Sequence, residues 1–199
     1  FSFHRLAIMG ISVKGNQPLC HPTEKKISLI CNGEIYNYKI LAKKYGFILE
    51  TGSDCEIILH MYKKFGIKKT VEALDGVFML VLFDENNNKL FAARDPYGVR
   101  PGFIGYSSEG VFLASEAKSL TSLCDKLTPF KPGNIWEYRT NKFDQFYFHK
   151  PYSLKNIPES DIIEGIKKRL SDAVQKRMMA DREVGSLLSG GLDSSLISA

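Results

Sequence analysis

Residues Ser189–Ser195 read SGGLDSS. Two glycines after an apolar segment let the backbone approach a ligand closely. Backbone N–H groups and three hydroxyls then gather at the start of the next helix, an anion cradle suited to phosphate or pyrophosphate. The segment is not a Walker A loop, because no Gly-Lys-Ser/Thr follows, and not G-x-G-x-x-G. Its plain reading is a Gly/Ser turn with Asp193 as helix cap. A second cluster is Cys31–Asn37, CNGEIYN. Asn32-Gly33 is by default a type I′ hairpin turn. The Asn carboxamide and the Gly N–H are also two donors able to polarise a carbonyl and hold an oxyanion. In Thr51–Glu56, TGSDCE, Ser53 and Glu56 form an S-x-x-E capping box. Asp54 then faces the helix dipole or receives an ammonium group. Arg5, in His4–Ile8, is a solvated charge before a strand or a bidentate carboxylate clamp. Arg94–Pro101, RDPYGVRP, reads as a structured loop in which Asp95 is structural. His4, His21, His60 and His149 show no ligand spacing, so no metal is expected from them.

The elements that carry these residues are mostly strands joined by tight turns. Ile27–Cys31 and Glu34–Tyr36 flank Asn32-Gly33, Val77–Phe83 and Lys89–Arg94 flank residues 84–88, Phe103–Tyr106 and Val111–Ser115 flank residues 107–110, and Trp136–Tyr138 and Phe143–Phe148 flank Asn141-Lys142. Successive hairpins imply antiparallel sheet. Val77–Phe83 is apolar throughout, so both its faces must be covered. Helices are expected over Tyr38–Tyr45, stopped by Gly46, and over Asp54–Phe65, stopped by Gly66. Together these predict a layered α+β domain. After Pro151 the pattern changes to a linker over Pro151–Pro158. An amphipathic helix follows over Asp161–Met179, with Ile162, Ile163, Ile166, Leu170 and Val174 on one face. A short strand over Glu183–Leu188, the glycine-rich loop and a second apolar helix open an α/β nucleotide-binding domain.

The chain has 199 residues, enough for one domain plus part of another at about 100–200 residues each. Its net charge is +5, from 27 basic and 22 acidic residues in scattered pairs, which gives no case for nucleic acid. No apolar stretch approaches the 18 or so residues of a membrane span. The four cysteines, Cys20, Cys31, Cys55 and Cys124, form no C-x-x-C pair. They read as reduced, buried thiols of a cytoplasmic protein. Residue 1 is Phe and the chain stops inside an apolar segment, so both ends are expected to be cut.

Nine segments occur together and in order: HRLAI, NQPL, NGEIYN, TGSDCE, LDGVF, RDPYGVRP, ASEAKSL, PG and LLSGGLDSS. Together they resemble the glutamine-hydrolysing asparagine synthetases, and SGGLDSS resembles the pyrophosphate loop of the N-type ATP pyrophosphatases. RDPYGVRP alone is also similar to amidophosphoribosyltransferase. The resemblance implies a class II glutamine amidotransferase domain over residues 1–152, lacking its N-terminus, with the αββα sandwich of antiparallel sheets of an N-terminal-nucleophile hydrolase. Over residues 159–199 it implies the truncated start of an α/β adenine-nucleotide-binding domain.

By the same resemblance, Arg5 binds the α-carboxylate of glutamine, with Leu6, Ala7, Ile8 and Met9 lining the pocket. Asn32 and Gly33 form the oxyanion hole, and Asp54, helped by Glu34, takes the α-ammonium. Leu188, Ser189, Gly190, Gly191, Leu192, Asp193, Ser194 and Ser195 contact ATP, with Asp193 helping to hold Mg²⁺ on pyrophosphate. The implied reaction hydrolyses glutamine to glutamate and ammonia, adenylates aspartate with ATP, and releases asparagine, AMP and PPi. Implied partners are small molecules, and a homodimer is compatible with the family. The family's nucleophile is a cysteine at the mature N-terminus, whose α-amine serves as base. No cysteine here matches it, so this stretch alone is expected to be inactive and the nucleophile to lie upstream. Two alternatives stay open: another amidotransferase fused to a pyrophosphatase-loop domain, similar to a β-lactam synthetase, or a non-catalytic amidotransferase-like binding protein.

Overall fold

The structure, a computed structural model, describes residues 1–149 and 157–199. Most of the expected linker Pro151–Pro158 lies outside the described residues. Strands β1 (Leu19–Cys20) and β2 (Ile27–Ile35) are followed by helices α1 (Tyr38–Tyr45) and α2 (Glu56–Ala73). Next come strands β3 (Gly76–Asp84), β4 (Lys89–Arg94), β5 (Phe103–Ser107), β6 (Gly110–Ala114), β7 (Lys126–Pro129), β8 (Asn134–Glu137) and β9 (Lys142–Gln145). Helices α3 (Glu159–Arg177) and α4 (Leu192–Ser198) end the chain. One sheet runs β1-β2-β3-β4-β8-β9 and a smaller one β6-β5-β7, with every pairing antiparallel. The layered α+β expectation is borne out.

The seven-residue apolar run explains the layering. Side chains alternate across a strand. Phe78, Leu80 and Leu82 of β3 therefore enter a core shared with Leu41 of α1 and Ile57, Ile58 and Met61 of α2. Met79 and Val81 point the other way, into a core closed by Ile104, Phe130 and Trp136. One strand thus fastens helices to one face of the large sheet and the small sheet to the other. Fully burying each large apolar side chain contributes about 1.5–3 kcal/mol.

Turn chemistry sets the hairpins. Asn141 takes a positive φ of 50° between β8 and β9, and its side-chain oxygen accepts from Trp136 Nε1 at 2.9 Å. The turn therefore also satisfies the one polar atom of the buried indole. Helix α1 spans the expected residues and ends on Gly46 in the left-handed region, where a side chain would be strained.

Three expectations are corrected. Asn32-Gly33 is not a turn: β2 is continuous, with Asn32 opposite Met79 and Gly33 opposite Phe78. Glycine is required there by the neighbouring strand, because a Cβ on Gly33 would lie 2.2 Å from the Val77 carbonyl oxygen. The capping box does not form either. Helix α2 starts at Glu56 with no side-chain cap, and Glu56 accepts instead from the Glu50 and Thr51 amides and the Thr51 hydroxyl. Helical structure does break at Gly66, as expected, but resumes and continues to Ala73. Finally, residues Glu183–Leu188 form no strand. A strand needs a neighbour for its amide and carbonyl groups, and none of the described strands runs beside this segment.

Glu56 therefore closes the 50–55 loop as a buried anion. Burial alone raises its pKa, but hydrogen bonds from His60, Glu50 and Thr51 outweigh that effect and hold the carboxyl at about 2. A carboxyl lowered by folding stabilises the protein above its unfolded pKa, and that stability is lost as pH falls through the folded value. We expect the stability gap between wild type and Glu56→Gln, measured by urea unfolding, to be constant near neutrality. It should close between about pH 4.5 and about pH 2. A gap independent of pH would contradict this role for Glu56.

Candidate functional site

The first wall of the site is the loop after Arg5. The strand expected to follow Arg5 does not form; the first strand begins at Leu19. Arg5 instead turns back on its own chain, donating from Nη1 to the Gly10 carbonyl at 3.0 Å and from Nη2 to the Met9 carbonyl. It is a clamp on its own loop, not a solvated charge. Arg5, Leu6, Ile8 and Met9 border a cavity of about 680 Å³, and Ala7 does not. Leu6 is 88% exposed, so it touches the cavity only at its rim.

The second wall comes from β2. Asn32, Gly33 and Glu34 border the same cavity. Asn32 Nδ2 donates to Ser115 Oγ at 3.2 Å, which fixes one of its two amide protons and orients the carboxamide. Glu34 Oε1 is paired with Arg100 Nη2 at 3.2 Å. Sequence reasoning missed both partners. Arg100 is delivered by the RDPYGVRP loop, which the buried Asp95 and the half-buried Arg94 hold. Asp95 accepts from the amides of Phe78, Tyr97, Val99 and Arg100, the structural role expected of it. Arg94 donates to the carbonyls of Arg100, Phe130 and Gly98, each at 2.7 Å. The available signal was a cation at the far end of a loop too rich in Pro and Gly to be a helix.

The third wall carries Asp54, only 4% exposed, whose Oδ2 accepts from the Ile35 amide at 2.6 Å. Burial pushes its carboxyl up to about 6, against the opposing pull of that amide. Two buried thiols, Cys31 and Cys55, also border the cavity, whereas Cys20 is exposed and Cys124 half-buried, against the expectation that all four are buried. The adjoining Cys31 thiol, then burial, push the Cys55 thiol far above its ordinary value.

The first and third walls meet at Gly10. It has φ +58°, and a Cβ there would lie 2.6 Å from the Ser53 nitrogen and 2.7 Å from the Gly52 carbonyl carbon. The loop of Arg5 and the loop of Asp54 are therefore in backbone contact. Among the described residues, neither Arg5 nor Asp54 has an ion-pair partner within 4.0 Å, whereas Glu34 and Arg100 have each other. The cavity thus offers one uncommitted cation, one uncommitted anion and an oriented carboxamide.

The second expected site is open. Leu187 is 96% exposed, and Leu188 and Leu192 are also exposed. Gly190 has φ +82°. Ser189 and Ser194 share a hydroxyl–hydroxyl bond of 2.8 Å, and Ser194 and Ser195 both donate to the Gly191 carbonyl. The three hydroxyls expected to face an anion are satisfied locally in this structure. Asp193 lies in the first turn of α4. No cluster of three or more His, Cys, Asp or Glu residues able to hold a metal occurs among the described residues.

The molecule is an antiparallel sandwich with helices on its large sheet and a cavity bordered by Arg5, Asn32 and Asp54. Residues 1–168 match the glutamine amidotransferase domain, and residues 165–199 match asparagine synthase. The chain belongs to the glutamine amidotransferase domain family. It is 40% identical over 225 residues to the glutamine-hydrolysing asparagine synthetase of Gallus gallus, covering all of this chain and 40% of that protein. It is 41% identical to that of Asparagus officinalis, covering all of this chain and 33% of that protein, and 40% identical to that of Homo sapiens. The chain therefore spans about 40% or less of the length of these relatives. In fold it is similar to glutamine phosphoribosylpyrophosphate amidotransferase of B. subtilis, with a TM-score of 0.59 and 21% identity, over 92% of this chain and 46% of that one.

The contact at Gly10 gives a direct test. Gly10→Ala should destabilise the protein by roughly 2–5 kcal/mol, combining left-handed backbone strain with overpacking. Urea unfolding would measure it, and a change below about 0.5 kcal/mol would contradict the crowding described here.

Proposed function

We propose that this chain is the glutamine-binding part, and the entry to the ATP-using part, of a glutamine-dependent asparagine synthetase. In the whole protein, glutamine is hydrolysed to glutamate and ammonia. ATP adenylates aspartate, and ammonia displaces AMP to give asparagine, with PPi as the other product. The observation that carries this reading is the charge arrangement of the cavity. A free α-amino acid needs one cation for its carboxylate and one anion for its ammonium, and Arg5 and Asp54 are the two charges left unpaired. The division into residues 1–152 and 159–199 is part of the proposal.

The roles follow from the geometry. Arg5, held by the Met9 and Gly10 carbonyls, keeps its charge and presents its remaining donors to the carboxylate. Asp54 receives the ammonium, whose arrival restores the charge that burial disfavours. Glu34 supports this field while neutralising Arg100, so the pocket keeps a balance suited to a zwitterion. Asn32 Nδ2 and the Gly33 N–H stabilise the oxyanion when the side-chain amide is attacked.

The attacking group requires a thiolate. The Cys55 thiol is shifted the wrong way for that task. Cys31 lies mid-strand without a free α-amine to act as base. The nucleophile is therefore assigned to a residue outside this stretch.

Leu188 and Ser189–Ser195 are proposed to contact ATP. Their hydroxyls would exchange the local bonds seen here for bonds to phosphate. Asp193 is a single carboxylate, which suits Mg²⁺ bound mainly through substrate phosphates and not in a resident protein cage. No helix of the described residues is long and apolar enough to cross a membrane. Four free thiols support a reducing, cytoplasmic setting.

Two measurements test the pocket. In the whole protein, Asn32→Ala should lower glutaminase turnover by roughly 10²–10³ and leave ammonia-dependent asparagine formation intact; equal loss of both would count against the assignment. Glutamine binding needs ionised Asp54, so kcat/KM for glutamine should fall as pH drops through about 6. A profile flat between pH 5 and 7 would remove Asp54 from the ammonium site.

A further inference from the structure

The Arg5 loop is held from both sides, and one side belongs to the far end of the chain. Asp181 Oδ2 accepts from the Gly10 amide at 2.7 Å, across a separation of 171 residues. The Asp181 amide donates to the Ile8 carbonyl at 3.0 Å. Arg5 takes the Met9 and Gly10 carbonyls from the other side. Four polar groups of Ile8–Gly10 thus have fixed partners, two on Arg5 and two on Asp181. Three neighbouring contacts set the segment that carries Asp181. Lys176 pairs with Asp75 at 2.9 Å, Arg177 lies 5.1 Å over the Tyr36 ring, and Met179 packs against the main core. Asp181 itself is exposed, so its side chain adds nothing to core packing.

We propose that Asp181 is a positioning residue of the glutamine pocket: it holds the Ile8–Gly10 loop, and through that loop the orientation of the Arg5 guanidinium. The proposal rests on the reading of the cavity as a glutamine site. It gives that site a second source. Asp181 lies within residues 165–199, the stretch matching asparagine synthase, while Arg5 lies in the amidotransferase stretch. The carboxylate-binding wall is built by both. The physical reason is geometric. A guanidinium recognises a carboxylate through a planar fork, so its plane must be set in advance. Arg5 is set by two carbonyls of a loop with a left-handed glycine at its tip. A loop in backbone contact on one side only can pivot; the Asp181 bonds remove that freedom. Met9 and Ile8 border the cavity as well, so the same bonds fix part of its floor.

The test compares Asp181→Ala and Asp181→Asn with wild type in the whole protein, measuring glutaminase kcat and KM together with ammonia-dependent asparagine formation. Losing one such hydrogen bond should raise KM for glutamine about 3- to 10-fold in Asp181→Ala. Turnover at saturating glutamine should stay within about twofold, the mark of lost binding and not lost chemistry. Asp181→Asn keeps an oxygen acceptor and should recover most of the affinity. An unchanged KM in Asp181→Ala overturns the proposal. So does an Asn variant as impaired as the Ala variant, or a parallel loss of both activities. Wild-type protein that does not hydrolyse glutamine would instead overturn the reading of the cavity itself.

Discussion

The site depends on one crowded contact, where the backbone at Gly10 meets the backbone at Gly52-Ser53. An amino acid carries its two charges on one carbon. Whatever binds it must hold a cation and an anion at a short, fixed separation, although Arg5 and Asp54 are 49 positions apart in the sequence. Long side chains alone cannot supply that precision, because each loses rotamer freedom to be held. The chain solves this at the level of the backbone. The two loops touch where only glycine fits, and each is then tied down by an ion. Glu56 gathers the amides of the 50–51 turn, and Arg5 gathers the carbonyls of the 9–10 turn.

The second constraint is charge accounting in a half-closed cavity. Among the ionisable side chains that border it, Arg5, Glu34, Asp54 and Arg100 have separate fates. Glu34 and Arg100 pair, so they contribute shape and field but no net charge. Asp54 is buried, and although backbone amides, chiefly that of Ile35, favour its charged form, burial pushes it toward its neutral form. The empty pocket therefore holds a carboxylate that is uncomfortable as an anion. An ammonium group relieves that cost, whereas a ligand without one does not. On the proposed reading, recognition of a free α-amine would follow from desolvation as much as from attraction. This also explains why the RDPYGVRP loop is built so tightly. If Arg94 and Asp95 did not fix Arg100, Glu34 would be a second unpaired anion and the balance would shift.

What the sequence made legible was what alternation and punctuation encode. The all-apolar run Val77–Phe83 demanded cover on both faces, and β3 has it. Gly46 ended α1 where the pattern placed it. Asn32 and Gly33 were expected on a turn and lie mid-strand, bordering the cavity. The dipeptide that favours a turn is also what a strand uses where a neighbouring backbone comes too close for a Cβ, and only the partner strand distinguishes the two. Ser53 and Glu56 had capping spacing, yet Glu56 found three donors in the turn before the helix and one acceptor cannot serve both. Arg100 and Ser115 were not legible as pocket residues, since their roles depend on partners 66 and 83 positions away. The expected strand at Glu183–Leu188 failed for a related reason: strand propensity is a statement about neighbours, and no described strand lies beside it.

The same logic bears on how the end of the chain joins the rest. Both hydrophobic cores are complete without α4, and from the whole of residues 157–199 only Met179 packs against them. The attachment is otherwise polar or cation–π: Lys176 on Asp75, Arg177 over Tyr36, Asp181 on Ile8 and Gly10. Polar contacts of this kind are directional but individually worth little in water, so they fix a position without welding it. Domain interfaces that must adjust are built this way, more polar than a core. The shortest of these contacts lands on the loop that carries Arg5. A shift of the C-terminal segment relative to the sandwich would therefore act first on the Arg5 loop and, through the Gly10 contact, on the backbone beside Asp54, leaving Asn32 and the buried cores where they are.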